Sequence, residues 1–503
     1  MGGERVEPRG VCRAARASGC ARAAAGVAER LGAGACGAAR GACGVSGPAA
    51  RCGSVLLPPG DARGRRAMRE LSLTNPAHVA YLRHGRGKPP PRTISACGVM
   101  DEGPWAGGVW VPREADGWGG ADRTVMPEAE PVTFRWDLRD YQSPAVDAVV
   151  HAGGGGIVAP CGAGKTVMGC ALVGRYDTPA LILVHTRDLA SQWADRVRDA
   201  LGVDAEIVGY GKRNDGTAGR VVVASLQTLA RWGWWRVHQW GQRFGLVIAD
   251  EAHHVPAATW GTVVAGLPAR VRVWLSATPE RPDGLHPILL WHMGPAVATI
   301  DPAVIEAAGK VLAPVVRLWR APPVDLDGLE SHERARALAE SEARNIGLCI
   351  EAAGMVAVGR RVLLLSKLVD HCGALAARLR AMDVDAVALT GQTGKAERAE
   401  TVDRMRAGTV QVVCATSLAD EGLDAPRLDS CILAAPDGNV AKVEQRIGRV
   451  CRPHPDGLPP VVVDVVDEWG PYQGYARRRQ RLYRGRGWRV VTAANVDDAV
   501  SAR

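Results

Sequence analysis

Two successive series of short apolar segments, each alternating with longer amphipathic stretches, constrain the fold of this chain most. The segments are rich in β-branched residues, as expected of parallel strands that are buried on both faces. The first series lies in residues 131–300 and consists of GIVAP, ALILVH, RVVVAS, LVIADE and VRVWLSAT. The second lies in residues 331–467 and consists of RVLLLS, AVALT, VQVVCAT, SCILAA and PVVVDVVD. We therefore predict an α/β protein with two tandem, doubly wound parallel sheets and a cleft between them.

The segments outside the two series are predicted to be smaller units. Residues 68–130 are expected to form a small N-terminal accessory domain, in which GGVWVPRE contains a short strand that ends at Pro112. Residues 301–330 carry no clear motif and are predicted to be a linker. Residues 468–503 are predicted to be a basic C-terminal tail.

Residues 1–67 differ in composition from the rest of the chain. They contain eleven arginines, no lysine and four acidic residues, so they carry +7 of the formal net charge of +9. This low-complexity segment lacks the apolar periodicity that would offset the entropy cost of ordering it. Three interpretations remain: a disordered basic tail, a transit peptide, and an untranslated segment upstream of a start at Met68. The change in residue usage at Met68 favours the last.

Two further properties limit the class of protein. No run of about 18 uncharged apolar residues occurs, so neither a membrane span nor a membrane partner is expected. The thirteen cysteines form no CxxC pair, which argues against a zinc ribbon. Several of them are interpreted as buried thiols because they lie in or beside apolar runs: Cys161, Cys170, Cys349, Cys414 and Cys431. We therefore expect a cytoplasmic protein in a reducing environment.

The sequence APCGAGKT, residues 159–166, follows an apolar segment and precedes a helical stretch. In this context the backbone N–H groups of the loop and the positive end of the helix can bind phosphate oxygens. The pattern usually begins with glycine, but a small residue such as Ala159 is expected to suffice at a strand end. Lys165 is predicted to contact the β- and γ-phosphates, and Thr166 to bind Mg²⁺. The residues predicted to hold a nucleoside triphosphate are Pro160, Cys161, Gly162, Ala163, Gly164, Lys165 and Thr166.

A later segment of the same series, LVIADEAHH, ends in two adjacent carboxylates. Because the carboxyl ends of parallel strands meet at one edge of a sheet, these carboxylates are expected to lie near the phosphate loop. Asp250 is predicted to hold Mg²⁺ through water. Glu251 is predicted to orient and deprotonate the attacking water.

Together these patterns resemble the superfamily 2 DEAD/DEAH-box-type helicases and translocases. The first series carries LRDYQ, LVHTRDLASQW, ASLQTL and LSATP around APCGAGKT and DEAH, and the second carries VLLLSKLVDHCGAL, ATSLADEGLDAP and QRIGRVCR, all in the family's order. LRxYQ, QxxGRxxR and an N-terminal VPR resemble the group of restriction-enzyme motors, excision-repair helicases and phage helicases. The resemblance implies two RecA-like domains, ATP and Mg²⁺ as cofactors, and nucleic acid as partner, with DNA favoured over RNA.

The resemblance also implies roles for individual residues. Gln142 would read the adenine, and Asp424 would contact the ribose or the Mg²⁺ shell. Contacts with nucleic acid are implied for Thr186, Arg187, Gln227, Thr228, Thr416 and Gly422, and coupling of hydrolysis to movement for His253, Ser276 and Thr278. Arg449 and Arg452 lie three apart on a predicted helix, share a face, and would act as arginine fingers across the cleft. With Gln445 they complete the predicted catalytic set of Lys165, Asp250 and Glu251.

The predicted function is that of an ATP-dependent helicase or translocase. One alternative is a duplex-DNA translocase or remodeller that never separates strands, and another is a sensor that ATP clamps onto a strand. A small-molecule P-loop kinase is disfavoured because it needs no second series. No nuclease signature occurs, so any nuclease, replication or repair partner is expected to be a separate chain. The segment YARRRQRLYRGRGW leaves two interpretations open, a helix that follows a nucleic-acid backbone and a solvated terminal helix.

Overall fold

The computed structural model describes residues 50–51, 54–84, 89–100, 106, 109–115, 118, 121–211, 219–252, 259, 263–277, 284–416, 427–455 and 457–492. These residues form a small N-terminal unit followed by two seven-stranded parallel sheets. Within these ranges, no helix combines the length and the apolar character that crossing a membrane requires.

The N-terminal unit is built on a five-stranded sheet in the order β5-β6-β2-β1-β7, beside a two-stranded sheet of β3 and β4. Its elements are β1 (Ala50–Arg51), β2 (Ser54–Leu57), α1 (Ala62–Glu70), β3 (Ser72–Thr74), α2 (Pro76–His84), β4 (Thr93–Ser95), β5 (Gly98–Val99), β6 (Val109–Pro112) and β7 (Ala121–Asp122). The strand predicted to end at Pro112 is confirmed as β6.

The boundary predicted between residues 67 and 68 divides this unit. Strand β2 lies before that boundary, yet it pairs antiparallel with β6, with Val55 opposite Val111. Leu56 and Leu57 are fully buried. The described part of the predicted tail therefore contributes a core strand, because a short apolar run, SVLL, was enough to complete the sheet.

The first parallel sheet has the order β10-β11-β9-β12-β13-β8-β14. Its elements are α3 (Gln142–Ala152), β8 (Gly155–Val158), α4 (Lys165–Arg175), β9 (Ala180–Val184), α5 (Arg187–Leu201), β10 (Ala205–Val208), β11 (Val221–Ser225), α6 (Leu226–Trp232), α7 (Trp234–Gly241), β12 (Leu246–Asp250), β13 (Val271–Ser276), α8 (His286–Met293), β14 (Ala296–Thr299) and α9 (Pro302–Ala307). All five strands predicted for this series are present and buried.

The second parallel sheet has the order β17-β18-β16-β19-β20-β15-β21. Its elements are β15 (Val315–Arg320), α10 (Ser331–Glu340), α11 (Glu342–Ala357), β16 (Val362–Ser366), α12 (Val369–Arg380), β17 (Ala386–Leu389), α13 (Lys395–Ala407), β18 (Val412–Thr416), β19 (Ser430–Leu433), α14 (Val440–Val450), β20 (Val461–Val466), α15 (Gly470–Gly485) and β21 (Arg489–Val491). The two doubly wound sheets confirm the predicted fold class.

Two predicted connecting segments belong to this second sheet instead. Strand β15 lies inside the predicted linker and pairs in parallel with β20 and β21. The strand was not predicted because its two arginines interrupt the apolar pattern. Arg317 is nevertheless buried, in an ion pair with Glu351. The predicted C-terminal tail provides α15 and β21, so its described part is an integral portion of the second domain.

The three units pack against one another. Arg113 of the N-terminal unit donates to the carbonyl of Ala269 at 2.6 Å, next to the first sheet. The two RecA-like domains are joined by an ion pair of 2.6 Å between Asp188 and Arg398. The polar contact between Arg113 and the first sheet is buried, so the N-terminal unit is docked firmly there.

Candidate active site

The phosphate loop connects β8 to α4, as predicted, and its shape depends on two glycines. Gly162 and Gly164 have φ angles of 83° and 81°, and Gly164 is the N-cap of α4. Such φ angles suit glycine, which lacks the Cβ that clashes in this region. The loop therefore places its backbone N–H groups at the start of a helix, where the helix dipole attracts anions.

Ala159, which stands where the pattern usually has glycine, fits without strain. Its φ is not positive, and its side chain is completely buried. Its N–H donates to the carbonyl of Ser276 at 2.9 Å. The residue thus joins the start of the phosphate loop to the end of β13, where the predicted coupling motif begins.

Lys165 and Glu251 form an ion pair in the centre of the site. Lys165 Nζ lies 3.1 Å from Glu251 Oε1, with the two side chains 10% and 19% exposed. Burial disfavours the charge of Lys165, but Glu251, Cys161 and Asp250 outweigh it and raise the pKa of Lys165 above its usual value. Lys165 is therefore a permanent cation in the loop, and its present partner is the predicted general base.

The backbone of Glu251 is itself unusual. Its φ is 46°, a left-handed conformation that is rare for residues other than glycine and costs about 1–3 kcal/mol. Its N–H donates to Asp250 Oδ1 at 3.0 Å, which holds the Asp250 carboxylate against the backbone of Glu251. Strain of this kind is typical of positions where the surrounding structure fixes a functional side chain.

Asp250 lies at the end of β12 and is 4% exposed. Burial and the neighbouring Glu251 raise the pKa of Asp250 to about 6, although Lys165 and the indole of Trp193 act in the opposite direction. Trp193 Nε1 donates to Asp250 Oδ2 at 2.8 Å. A buried carboxylate of this kind gains from a cation beside it, which suits the predicted Mg²⁺ role.

Gln142 lies against the phosphate loop. Its Nε2 donates to the carbonyl of Ala163 at 2.8 Å, and its Oε1 accepts from the N–H of Arg139 at 3.0 Å. The side chain is 1% exposed. In this arrangement Gln142 supports the loop, so any contact with adenine remains a prediction.

The second domain closes over the same loop through α14. A Cβ on Gly448 would lie 3.0 Å from the Cβ of Cys161, so helix and loop are in close contact. The cleft between them is lined from the second domain by Ala441, Glu444, Gln445, Gly448 and Cys451 and from the first by Pro160, Cys161 and Ala277. Gln445 is thus placed at the interface.

The predicted arginine pair needs a correction. Helix α14 ends at Val450 and Cys451 is its C-cap, so Arg452 lies in the following turn. Arg449 and Arg452 therefore do not share a helical face. Arg449 follows Gly448, the residue that touches the loop, and Arg452 follows Cys451, which lines the cleft. The helix stops before Pro453, three residues after Val450, because proline cannot continue a helix and disfavours helical backbone in the residue before it.

The predicted nucleic-acid residues of the first domain cluster at the carboxyl edge of its sheet. Thr186 caps α5, and its hydroxyl accepts from the N–H of Leu189 at 3.3 Å. Gln227 Nε2 donates to the carbonyl of His185 at 3.0 Å, which brings the two motifs together. Thr228 lies in the first turn of α6, where its N–H donates to Ser225 Oγ. Arg187, at the start of α5, donates to the carbonyl of Tyr210.

The corresponding residue of the second domain, Thr416, ends β18. Its Oγ1 is buried and has no hydrogen-bond partner in the described part of the chain. Four predicted residues lie outside the described residues: His253, Thr278, Gly422 and Asp424.

Three features of the site were not predicted. Trp193 fits the buried spacing of α5 with Ala190 and Val197, a pattern that indicates burial but not a carboxylate partner. The contact at Gly448 and the Asp188–Arg398 ion pair join residues of different domains. Sequence spacing carries no signal for such contacts.

Two family models match this chain, one over the first parallel sheet and one over the second. Residues 135–281 match the family model described as type III restriction enzyme, res subunit, and residues 345–454 match the helicase conserved C-terminal domain. The DNA 3'-5' helicase XPB of Kineococcus radiotolerans is 30% identical over 378 residues, which are 73% of this chain and 66% of that protein. The DNA 3'-5' translocase XPB2 of Sulfurisphaera tokodaii is 29% identical over 355 residues, which are 63% of this chain and 79% of that protein.

A solved structure agrees on the fold. S. cerevisiae Dbp5 bound to RNA and ADP BeF3 has a TM-score of 0.55 at 16% identity, covering 74% of this chain and 92% of that one. This likeness shows a shared tandem architecture. With both family models placed on the two sheets, the chain belongs to the superfamily 2 helicases, in the group that contains restriction-enzyme motors and XPB-like repair helicases.

Proposed function

We propose that this chain is an ATP-dependent DNA helicase or translocase that couples ATP hydrolysis to movement along a strand. The observation that carries the proposal is the composite site, in which Lys165, Asp250 and Glu251 lie beside a loop that α14 of the second domain contacts at Gly448. The two relatives, a DNA 3'-5' helicase and a DNA 3'-5' translocase, support DNA as the track and 3' to 5' as the direction of movement.

In this proposal the phosphates of ATP separate Lys165 from Glu251. The loop N–H groups and Lys165 bind the β- and γ-phosphates, which frees Glu251 to accept a proton from the attacking water. Thr166 and Asp250 would hold Mg²⁺, which neutralises developing charge on the phosphates when bound. The burial of Asp250 beside Glu251, which raises the pKa of the Asp250 carboxyl, supports this role because a bound cation would offset both effects.

The second domain completes the site in the same proposal. Arg449 and Arg452 stabilise the charge that develops during phosphoryl transfer, with Gln445 in the same catalytic set, and Asp424 contacts the ribose or the Mg²⁺ shell. The coupling residues His253, Ser276 and Thr278 transmit closure to the strand, which Thr186, Arg187, Gln227, Thr228, Thr416 and Gly422 hold by its backbone. A separate nuclease or repair partner remains a prediction.

One experiment distinguishes the proposal from its alternatives. ATP turnover is measured without nucleic acid and with single-stranded DNA, duplex DNA, forked DNA and RNA, and strand separation is followed on the forked substrate. The proposal expects DNA to stimulate turnover more than RNA. Turnover with duplex DNA but no strand separation would favour the duplex translocase, and ATP-dependent binding without turnover would favour the sensor. Substantial turnover at the same rate in every arm, including the arm without nucleic acid, would contradict all three.

A further inference from the structure

The exposed face of α15 carries arginines and no carboxylate. The helix contains five arginines and no acidic residue. Arg477, Arg478, Arg481 and Arg484 are exposed, whereas Arg479 is buried. Because Arg477, Arg481 and Arg484 are spaced i, i+4 and i+7, they form one row on the solvent side.

Several exposed arginines elsewhere in the same domain have carboxylate partners. Arg336 pairs with Glu340 at 2.7 Å, and Arg378 pairs with Glu342 at 2.5 Å. Arg404, Arg406 and Arg320 are likewise paired with acidic residues. In the described ranges no carboxylate pairs with Arg477, Arg481 or Arg484, so within these ranges the charge of the row is not neutralised.

The row is held on a rigid support. Arg479 Nη2 lies 2.7 Å from Asp464 Oδ1, and the Tyr483 hydroxyl donates to Asp464 Oδ2 at 3.0 Å. All three side chains are almost completely buried. These contacts fix the rotation of α15 about its axis, so the exposed arginines are presented in one fixed orientation before any partner binds.

A groove runs beside this row. It has a volume of about 590 Å³ and lies between α15 and the end of β15. Gln473, Arg477 and Gln480 line it from the helix, and Trp319 and Arg320 line it from the strand. Glu468 also lines it and is the ion-pair partner of Arg320. A Cβ on Gly347 would lie 2.6 Å from the Trp319 ring, so that ring is held in place from behind. Arg477, the two amides and the partly exposed ring of Trp319 together suit the phosphates and bases of a single strand.

The helix begins at the edge of the sheet that carries the helicase motifs. Arg479 Nη1 donates to the carbonyl of Asp437 at 2.8 Å, in the loop after β19. Lys367, in the motif that follows β16, donates to the carbonyl of the adjacent Pro436 at 2.6 Å. A strand that crosses this edge can therefore continue along α15. Arg477 and Arg484 lie about 10 Å apart along the helix axis, the length of about three nucleotides of a B-form strand.

We propose that the arginine row of α15, with the groove beside it, is a second binding surface for single-stranded DNA on this domain. This inference rests on the proposed function. The row binds backbone phosphates, and Trp319 contacts bases. A closed duplex offers no exposed base faces to Trp319, so the surface is selective for a single strand.

The test compares Arg477→Gln/Arg481→Gln with the matched control Arg336→Gln/Arg406→Gln, which removes the same charge from exposed, ion-paired positions. Affinity for fluorescent oligothymidine and for a duplex of equal length is measured by anisotropy over a range of salt concentrations. Each lost single-strand phosphate contact reduces the slope of log K against log salt by about 0.7, so the first variant should lose about 1.4. The control should keep the wild-type slope, and both should keep the ATP turnover measured without DNA.

The outcomes separate this inference from the proposed function. An unchanged single-strand slope in Arg477→Gln/Arg481→Gln, or an equal loss of slope on the duplex, would overturn the inference while the wild type still binds DNA and is stimulated by it. A wild type that neither binds single-stranded DNA nor is stimulated by it would overturn the proposed function as well.

Discussion

Replacing Trp193 by phenylalanine tests how the site keeps Asp250 ionised. The change preserves an aromatic ring in the core but removes the indole N–H that donates to Asp250 Oδ2 at 2.8 Å. A hydrogen bond to a charged group contributes about 1.5–3 kcal/mol, which corresponds to a shift of about 1–2 pH units in the pKa of its acceptor. The pKa of Asp250, already raised to about 6 by burial and Glu251, should rise further.

The assay is the pH dependence of kcat/KM for ATP hydrolysis. Asp250 acts as a carboxylate, and it is protonated as the pH falls through its pKa. A higher pKa therefore moves the acid limb of the profile to higher pH, by about 1–2 units. Trp193→Phe should lose most of its activity at about pH 6 and recover it at about pH 9.

A matched control is Trp274→Phe. Trp274 is fully buried in the neighbouring strand, and its Nε1 donates to the neutral carbonyl of Gly294 at 2.9 Å. This variant should show a comparable loss of thermal stability but an unshifted acid limb. If both variants shift the limb equally, or neither shifts it, the assignment of Trp193 as the group that supports the Asp250 charge is refuted.

Three further predictions concern the loop and its contacts between domains. Ala159→Gly should keep wild-type ATP turnover, because Ala159 needs no positive φ. The variant should lose about 0.4–1 kcal/mol of unfolding free energy in a urea titration. A large gain in turnover would contradict the conclusion that alanine fits this position without strain. Gly448→Val should reduce ATP turnover by at least about tenfold, because the valine side chain would push α14 away from Cys161. Adding Cys161→Gly to this variant should restore part of the turnover. A double-mutant cycle that shows no coupling energy between the two positions would argue against the contact. Asp188→Arg should increase the distance between the two domains in fluorescence energy transfer measurements, because it removes the ion pair with Arg398. Adding Arg398→Asp to the same chain should shorten this distance again by restoring an ion pair. Equal distances in the single and double variants would argue against a role of this ion pair in joining the domains.

The sequence predicted the sheets and the chemistry of the first domain because both depend on local patterns. Buried β-branched runs indicated the ten predicted strands, and strand–loop–helix spacing placed Lys165 near Asp250 and Glu251. Strand β15 was missed because a buried arginine interrupts its apolar pattern, and its partner Glu351 lies on a distant helix.

The helix that carries Arg449 was predicted, but not its end at Val450. The contact of Gly448 with Cys161 depends on how two domains meet, which no local pattern encodes. The arginine row of α15 was visible as a basic run. The sequence alone does not show whether these arginines have carboxylate partners, because that depends on where acidic residues from elsewhere in the chain lie in the fold.

The central claim is that Glu251 activates water for an ATP hydrolysis that DNA stimulates. The most direct measurement is the ATP turnover of Glu251→Gln beside the wild type, with and without single-stranded DNA, together with DNA affinity in the presence of ATP. The account predicts that DNA stimulates the wild type, and that Glu251→Gln loses at least about a hundredfold in turnover while it still binds DNA in the presence of ATP. Full turnover in Glu251→Gln, or a wild-type rate that DNA leaves unchanged, would contradict it.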